Sequence, residues 1–398
     1  MKETLFEKLG ILLLNGKEEE ALDLLKTLMC DEDPEVKVAS LAVISTLMQR
    51  FRRVVEGVLP LVLRAALTDQ QTYVRGNALE VLGKAACYTP NAVVDSLPEV
   101  ISCINSQDSN LAWNAVVTLG WIGGSNPKIV EPFMEEIAKN LDSEHEIARG
   151  ASAMAMGWIG GVRPDLVKKY VLKLVKVATS DEKEEVRLNA MDALASISHA
   201  DATLLKGFLK NIALASITDE NENVRGSALE AITGFCKRFP DASAEVVLSI
   251  LDNVFENRDV NWKAIATIGF LGAGNPDAIP YILNTLTGQL GNLKGAARAT
   301  AILAVGWVLG NNPGFPTREA EKVINFLVRF LKDEDSKVRE SVIEAIGWIS
   351  ANSHALLKKY LPVVLNVLRD ERDSAVKRKS EEVAELMSKR LLDYEAKS

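Results

Sequence analysis

The residues of this chain best suited to chemistry are few. Histidine occurs three times, as His145, His199 and His354. His145 is followed by Glu146, a pair that could offer two ligands to a transition metal. Neither of the other histidines has such a neighbour, and one His with one Glu cannot build a two-metal site. Four cysteines, Cys30, Cys87, Cys103 and Cys236, form no Cys-x-x-Cys pair and mostly sit among apolar residues. They are expected as buried free thiols in a reducing compartment. No Ser/His/Asp, Cys/His or phosphate-loop pattern stands in a workable context. No catalytic residue, metal or cofactor is predicted.

Glycine is the other candidate. Residues 112–127 read AWNAVVTLGWIGGSNP, and residues 261–276, 149 positions later, read NWKAIATIGFLGAGNP. Trp113 matches Trp262, Gly120 matches Gly269, and Asn126-Pro127 matches Asn275-Pro276. A phosphate-cradling glycine loop precedes a helix and aims its N–H groups at the anion. Here the glycines end a helical segment. Gly123, Gly124, Gly160, Gly161 and Gly272 are therefore expected as C-caps in the left-handed conformation, with Asn-Pro stopping one helix and opening the next. A second, internal set comprises Gly83, Gly120, Gly157, Gly269, Gly306 and Gly347. It either lets adjacent helices pack closely or leaves an inner surface open to a partner's backbone.

The elements that carry these residues repeat. YVRGNALEVLGKA from Tyr73, EVRLNAMDALASI from Glu185, NVRGSALEAITGF from Asn223 and KVRESVIEAIGWI from Lys337 share one form. With the Arg as position 0, the register falls at residues 37, 75, 112, 149, 187, 225, 261, 298, 339 and 377, in steps of 36 to 41. Each step holds two helical patterns. The second starts at an acidic turn, such as Asp219 or Asp333, where Asp suits an N-cap. Its apolar residues fall at −1, +3, +6, +7 and +10, on one helical face. A lone helix pair cannot bury that face, so pairs must stack. The prediction is an all-α chain, a right-handed α-α superhelix (α-solenoid) of about ten helical-hairpin repeats.

The Asp turn, the Val-Arg and the downstream Ala and Leu/Ile-Gly resemble HEAT repeats of the adaptin and importin type over nearly the whole chain. A third short helix per repeat, as in armadillo repeats, does not fit these steps. The resemblance implies that Arg75, Arg149, Arg187, Arg225, Arg298 and Arg339 form a stacking ladder with the turn Asp residues. It frames residues 1–398 as a single solenoid, with 1–30 as an N-terminal helical cap and first-repeat helix. Regular repeats follow over 31–351, containing a duplicated four-repeat block (about 33–180 and 181–332), and 352–398 form a capping repeat. The duplication is carried by the 149-residue offset and by VRGNALEVL and VRGSALEAI, which start at Val74 and Val224.

In HEAT-like solenoids the second helices line the concave surface. At ~100° per residue, their free face carries +1, +5 and +8. The expected partner-binding groove therefore has apolar patches from Trp113, Val117 and Met154 and from Trp262, Ala266 and Leu303. Glu80, Asp192, Glu230 and Glu344 flank them with carboxylates. Trp121, Trp158, Trp307 and Trp348 stand at +9, on the flank between core and surface, and are assigned to packing between repeats.

Composition narrows the partner. The chain is 47% hydrophobic and 25% charged, with a formal net charge of −8, a poor match to a phosphate backbone. No secretory signal architecture or apolar run long enough to span a membrane occurs, so a cytoplasmic setting is expected. The function expected is a non-catalytic protein–protein interaction scaffold or adaptor, binding a partner helix or peptide that is basic with apolar anchors. No small-molecule substrate is evident. Two alternatives stand beside it. One is an enzyme or enzyme-assisting subunit similar to the bilin lyases. The other is a nucleic-acid-associated HEAT subunit, supported only by the VKRKS cluster around Lys377. Deoxyhypusine hydroxylase, a HEAT-repeat enzyme, carries several His-Glu pairs, and the single His145-Glu146 pair does not match it.

Overall fold

A computed structural model describes residues 2–94, 96–104, 106, 108–252 and 258–396, with the side chains of 2–4, 91 and 258–262 outside that description. The described residues are helical with short connections and contain no strand. They fall into two compact units, Met1–Leu205 and Lys206–Ser398.

In the first unit the second helices of successive pairs are Pro34–Leu47, Thr72–Ala86, Ser109–Ser125, Glu146–Val162 and Glu184–Ala200. In the second unit they are Glu222–Arg238, Arg258–Gly274, Gly295–Gly310, Ser336–Ser350 and Ser374–Glu395. The α-solenoid of HEAT-like pairs is thus the fold, and each register position found in the sequence lies in one of these helices. The apolar positions fill the core: Val74, Ala78, Leu82 and Ala85 are fully buried and Val81 nearly so. Burying one such Val or Leu side chain stabilises by about 1.5–3 kcal/mol.

The helix starts differ by two residues from the expectation. Asp219 and Asp333 are not N-caps. The cap is the residue two further on: the Asn221 side chain accepts from the N–H groups of Asn223 and Val224, and the Asp335 side chain from that of Lys337. Asp219 and Asp333 brace the turn instead, each accepting the N–H of the cap residue at 2.9 and 3.0 Å. That leaves their remaining acceptor capacity to face a neighbouring repeat.

The helix-ending glycines also differ. Gly123 and Gly124 lie inside Ser109–Ser125, Gly160 and Gly161 inside Glu146–Val162, and Gly272 inside Arg258–Gly274. Among the described residues only Gly16 and Gly295 have positive φ. The absence of a side chain serves packing: a Cβ on Gly160 would stand 2.6 Å from Ile197 Cγ1, and one on Gly123 2.7 Å from Val130 Cγ2. Asn126 and Asn275 then interrupt the chain, and Pro127 and Pro276 open the next helical segment, where the missing N–H has no intrahelical partner to lose.

Of the four cysteines, Cys103 and Cys236 are buried, but Cys30 and Cys87 are exposed, contrary to expectation. Burial pushes the Cys236 thiol up to about 12.

Candidate partner-binding face

The Arg positions are structural. In the first unit Lys37 Nζ meets Asp69 Oδ2 at 2.6 Å, Arg75 meets Asp108 at 3.2 Å, and Arg149 forks onto Asp181 at 2.6 and 2.9 Å. In the second unit Arg298 pairs with Asp333, and Arg339 forks onto Glu371 at 2.8 and 3.3 Å. Each pair joins one repeat to the turn of the next. The same guanidinium donates back to its own turn: Arg75 to Asp69 O, Arg149 to Ser143 O, Arg187 to Asp181 O and Arg225 to Asp219 O. The Asp181 carboxyl lies below its ordinary range: burial pushes it up, but the Arg149 hydrogen bond and the Lys183 N–H outweigh that. These cations are spent inside the ladder, not displayed as an anion-binding row.

The free face of the second helices carries +1, +5 and +9, not +8. The +8 glycines are covered: a Cβ on Gly120 would lie 2.8 Å from the Ala155 Cα, one on Gly157 2.8 Å from the Ala193 Cα, and one on Gly306 2.7 Å from the Ala345 Cα. Within each unit, a second helix such as Ser109–Ser125 or Gly295–Gly310 contacts its own first helix and the second helices on both sides. The exposed strip is therefore narrow and displaced toward +9, a shift that a two-sided view of amphipathicity misses.

On this strip Trp113, Val117 and Met154 are half-buried, Asp192 is exposed, and Glu80 is half-buried and paired with Lys84 at 2.5 Å. In the second unit Glu230 is exposed and Ala266 half-buried. Leu303, expected on the free face, is only 9% exposed. The Trp262 side chain lies outside the described residues. Glu344 is half-buried, and Lys379 Nζ stands 3.6 Å from it.

The residues that sequence reasoning set aside are the +9 aromatics. Trp121 and Trp158 stack at 5.8 Å between centroids, with Lys84 Nζ 5.6 Å from the Trp121 ring. Phe270, 54% exposed, meets Trp307 edge-on at 6.5 Å, and Trp307 meets Trp348 edge-on at 5.6 Å. These rings do pack between repeats, as expected. Yet each tryptophan is half-exposed, so the row also forms part of the free strip. The spacing of four between +5 and +9 was the signal that could have found them.

No described helix is long and apolar enough to cross a membrane. Among the described residues, no group of three or more His, Cys, Asp or Glu is arranged to hold a metal ion. Glu146, of the His145-Glu146 pair, is bridged to Lys183 at 2.8 Å.

Residues 60–390 match the family model for the adaptin N-terminal region. The chain belongs to that family. Among curated proteins no sequence relative matches. Solved structures similar to this adaptin-type chain include importin beta, 14% identical over 96% of this chain with a TM-score of 0.54. The karyopherin Kap121p bound to the extreme C-terminus of the protein phosphatase Cdc14p is 16% identical over 95%, with a TM-score of 0.53. Kap121p bound to Nup53p is 15% identical over 95%, also with a TM-score of 0.53. This adaptin-type chain spans 54% of the importin beta chain and 43% of the two Kap121p chains. At these identities the likeness is one of fold.

Proposed function

We propose that the chain is a non-catalytic protein-interaction scaffold whose second-helix strip takes a partner helix or extended segment. The observation that carries this reading is the pair of half-exposed aromatic rows, Trp121–Trp158 and Phe270–Trp307–Trp348. Half-exposed tryptophans offer large contact area at low entropic cost and are frequent interface anchors. Glu80, Asp192, Glu230 and Glu344 favour a partner that brings Lys or Arg beside its apolar anchors, and they disfavour a phosphate backbone. Membership of the adaptin family supports the scaffold reading, as do karyopherin neighbours bound to protein segments. A cytoplasmic setting belongs to the same proposal and rests on the four free thiols. So does the duplicated four-repeat block, since Phe270 and Trp307 follow Trp121 and Trp158 at the same 149-residue offset that separates Trp113 from Trp262.

The test is photo-crosslinking in native lysate from single benzoylphenylalanine substitutions. Met154 and Val117 probe the strip, and Lys176, exposed on a first helix, serves as the control. Specific proteins crosslinked from the strip and not from Lys176 support the scaffold. Equal patterns from both, or none from the strip, overturn it.

A further inference from the structure

The Arg–Asp ladder has a missing rung in the first unit. Position 0 of the third repeat is Ala112, and the turn residue that should answer it is Ser143, so neither the cation nor the carboxylate is present. The rungs on either side are intact, at Arg75–Asp108 and Arg149–Asp181. The residue beside the missing cation is Trp113, and next to it opens a cleft of about 460 Å³. Gly150 keeps this cleft open. A Cβ there would stand 3.0 Å from Asn189 Nδ2 and 3.6 Å from the Trp113 ring, so any larger side chain would fill the space. The rest of the lining is mixed: Ile147 and Val186 are apolar and Asn110 polar, while Glu146, Glu184 and Glu185 outnumber Lys183. The chain's own Lys183 ammonium already sits 2.8 Å from Glu146, which shows where a cation rests on this rim.

We infer that this cleft receives a single arginine side chain from the partner segment, an inference that rests on the scaffold reading above. A planar guanidinium stacks on an indole face and is only weakly hydrated, so it gives up water at a half-buried wall more readily than an ammonium does. Its fork of N–H donors matches the carboxylates of Glu184 and Glu185 and the side-chain oxygen of Asn189. An anion meets three carboxylates here, and a purely apolar group, though it suits Ile147 and Val186, offers nothing to Glu184 and Glu185. The guanidinium thus arrives from outside beside the missing rung rather than in it, on the Trp113 ring, since neither Ala112 nor Ser143 lines the cleft.

The test uses the full chain labelled with 5-fluorotryptophan, with the Trp113 fluorine resonance assigned by Trp113→Phe. N-acetyl-arginine amide is titrated against N-acetyl-citrulline amide, a neutral analogue of similar shape, and against N-acetyl-lysine amide. The expected result is a saturable shift of the Trp113 resonance with the arginine probe, weaker with lysine and absent with citrulline. Gly150→Leu should abolish the shift with helical content retained, and Lys183→Gln should strengthen it. A Trp113 resonance that ignores the arginine probe, or moves equally with citrulline, overturns the assignment, and this comparison needs no variant that must refold. Trp121 and Trp158 do not line this cleft. Failure here therefore leaves crosslinking at Met154 and Val117 unaffected, whereas failure of the scaffold reading shows as an empty strip in that experiment.

Discussion

Gly120 lies directly against Ala155 of the next repeat, so close that a Cβ on the glycine would stand 2.8 Å from the Ala155 Cα. Glycine within a helix ordinarily destabilises by about 1 kcal/mol relative to alanine. Here backbone-to-backbone contact reverses the balance, because the atoms in the way belong to the main chain. Gly120→Ala is expected to lower stability by about 1–3 kcal/mol through overpacking. Gly226, in Glu222–Arg238, is the control, since nothing lies within 4 Å of its virtual Cβ. Gly226→Ala should raise the urea midpoint where Gly120→Ala lowers it. Shifts of the same sign would refute the packing account.

Arg149 and Asp181 show what the ladder contributes. The side chains are 17% and 7% exposed, and the contact is a two-bond fork. Removing Arg149 leaves a nearly buried carboxylate without its counter-charge, which costs more than an exposed ion pair, worth about 0–1 kcal/mol. Arg149→Ala should therefore destabilise the first unit by about 2 kcal/mol or more. Arg149→Lys should recover only part of that loss, since an ammonium cannot make both fork bonds and the turn contact to Ser143 O at once. Hydrogen exchange at the turn after Ser180 would localise the effect. Full recovery by lysine would mean that charge alone matters.

The helices and their pairing were legible because stacking imposes one short register that every repeat must satisfy. Val74, Val186, Val224 and Val338 all occupy −1 and all are buried. The ladder was legible only through the resemblance to HEAT repeats, which pairs the Arg positions with the turn Asp residues, as Arg149 and Asp181 do. What the pattern hid was the direction of each neighbour. The +8 position was placed on the free face because a helical wheel assumes one buried side, but of the two readings of its glycines close helix packing is the one that holds: Gly157 is covered by Ala193 from the following repeat. That displacement brought Trp121 and Trp158 onto the strip; Leu303, at +5, is only 9% exposed all the same. The N-cap lay two residues late at Asn221 and Asp335 because each turn carries two polar residues with different tasks. Composition gave no sign of which one caps.

The cysteines offer a direct check on burial. Cys30 and Cys87 are exposed, while Cys103 and Cys236 are buried, with the Cys236 thiol held up to about 12 by its apolar surroundings. Thiolate is the reactive form, so burial suppresses reaction through both access and ionisation. Iodoacetamide on the native chain should modify Cys30 and Cys87 first. Cys236 should react only on unfolding, as read by peptide mass mapping. Early alkylation of Cys236 would show that the core of Glu222–Arg238 opens readily.

Two glutamates of the last repeats should titrate in opposite senses. Glu371 accepts the Asp373 N–H at 3.0 Å and the Arg339 fork, which together hold its carboxyl down at about 2, against an ordinary 4.5. A folded-state value below the unfolded one gives stability that is present above about 4.5 and lost as pH falls toward about 2. Glu344 is the reverse. Burial pushes its carboxyl above the ordinary value, Glu382 and Glu340 push the same way, and Lys379 at 3.6 Å opposes them without prevailing. Its favourable contribution belongs to the neutral form, so it is present at low pH and lost as pH rises through the folded value. Lys379 also bridges Glu382 at 3.1 Å, so it is shared between two carboxylates. Glu371→Gln should flatten the acid limb of the stability profile. Glu344→Gln should gain on wild type as pH rises from about 4 to about 8, because the amide keeps the shape of the neutral acid and cannot ionise. Denaturant midpoints across that range read both effects. A Glu344→Gln difference that does not change with pH would mean that Lys379 fully compensates the buried charge.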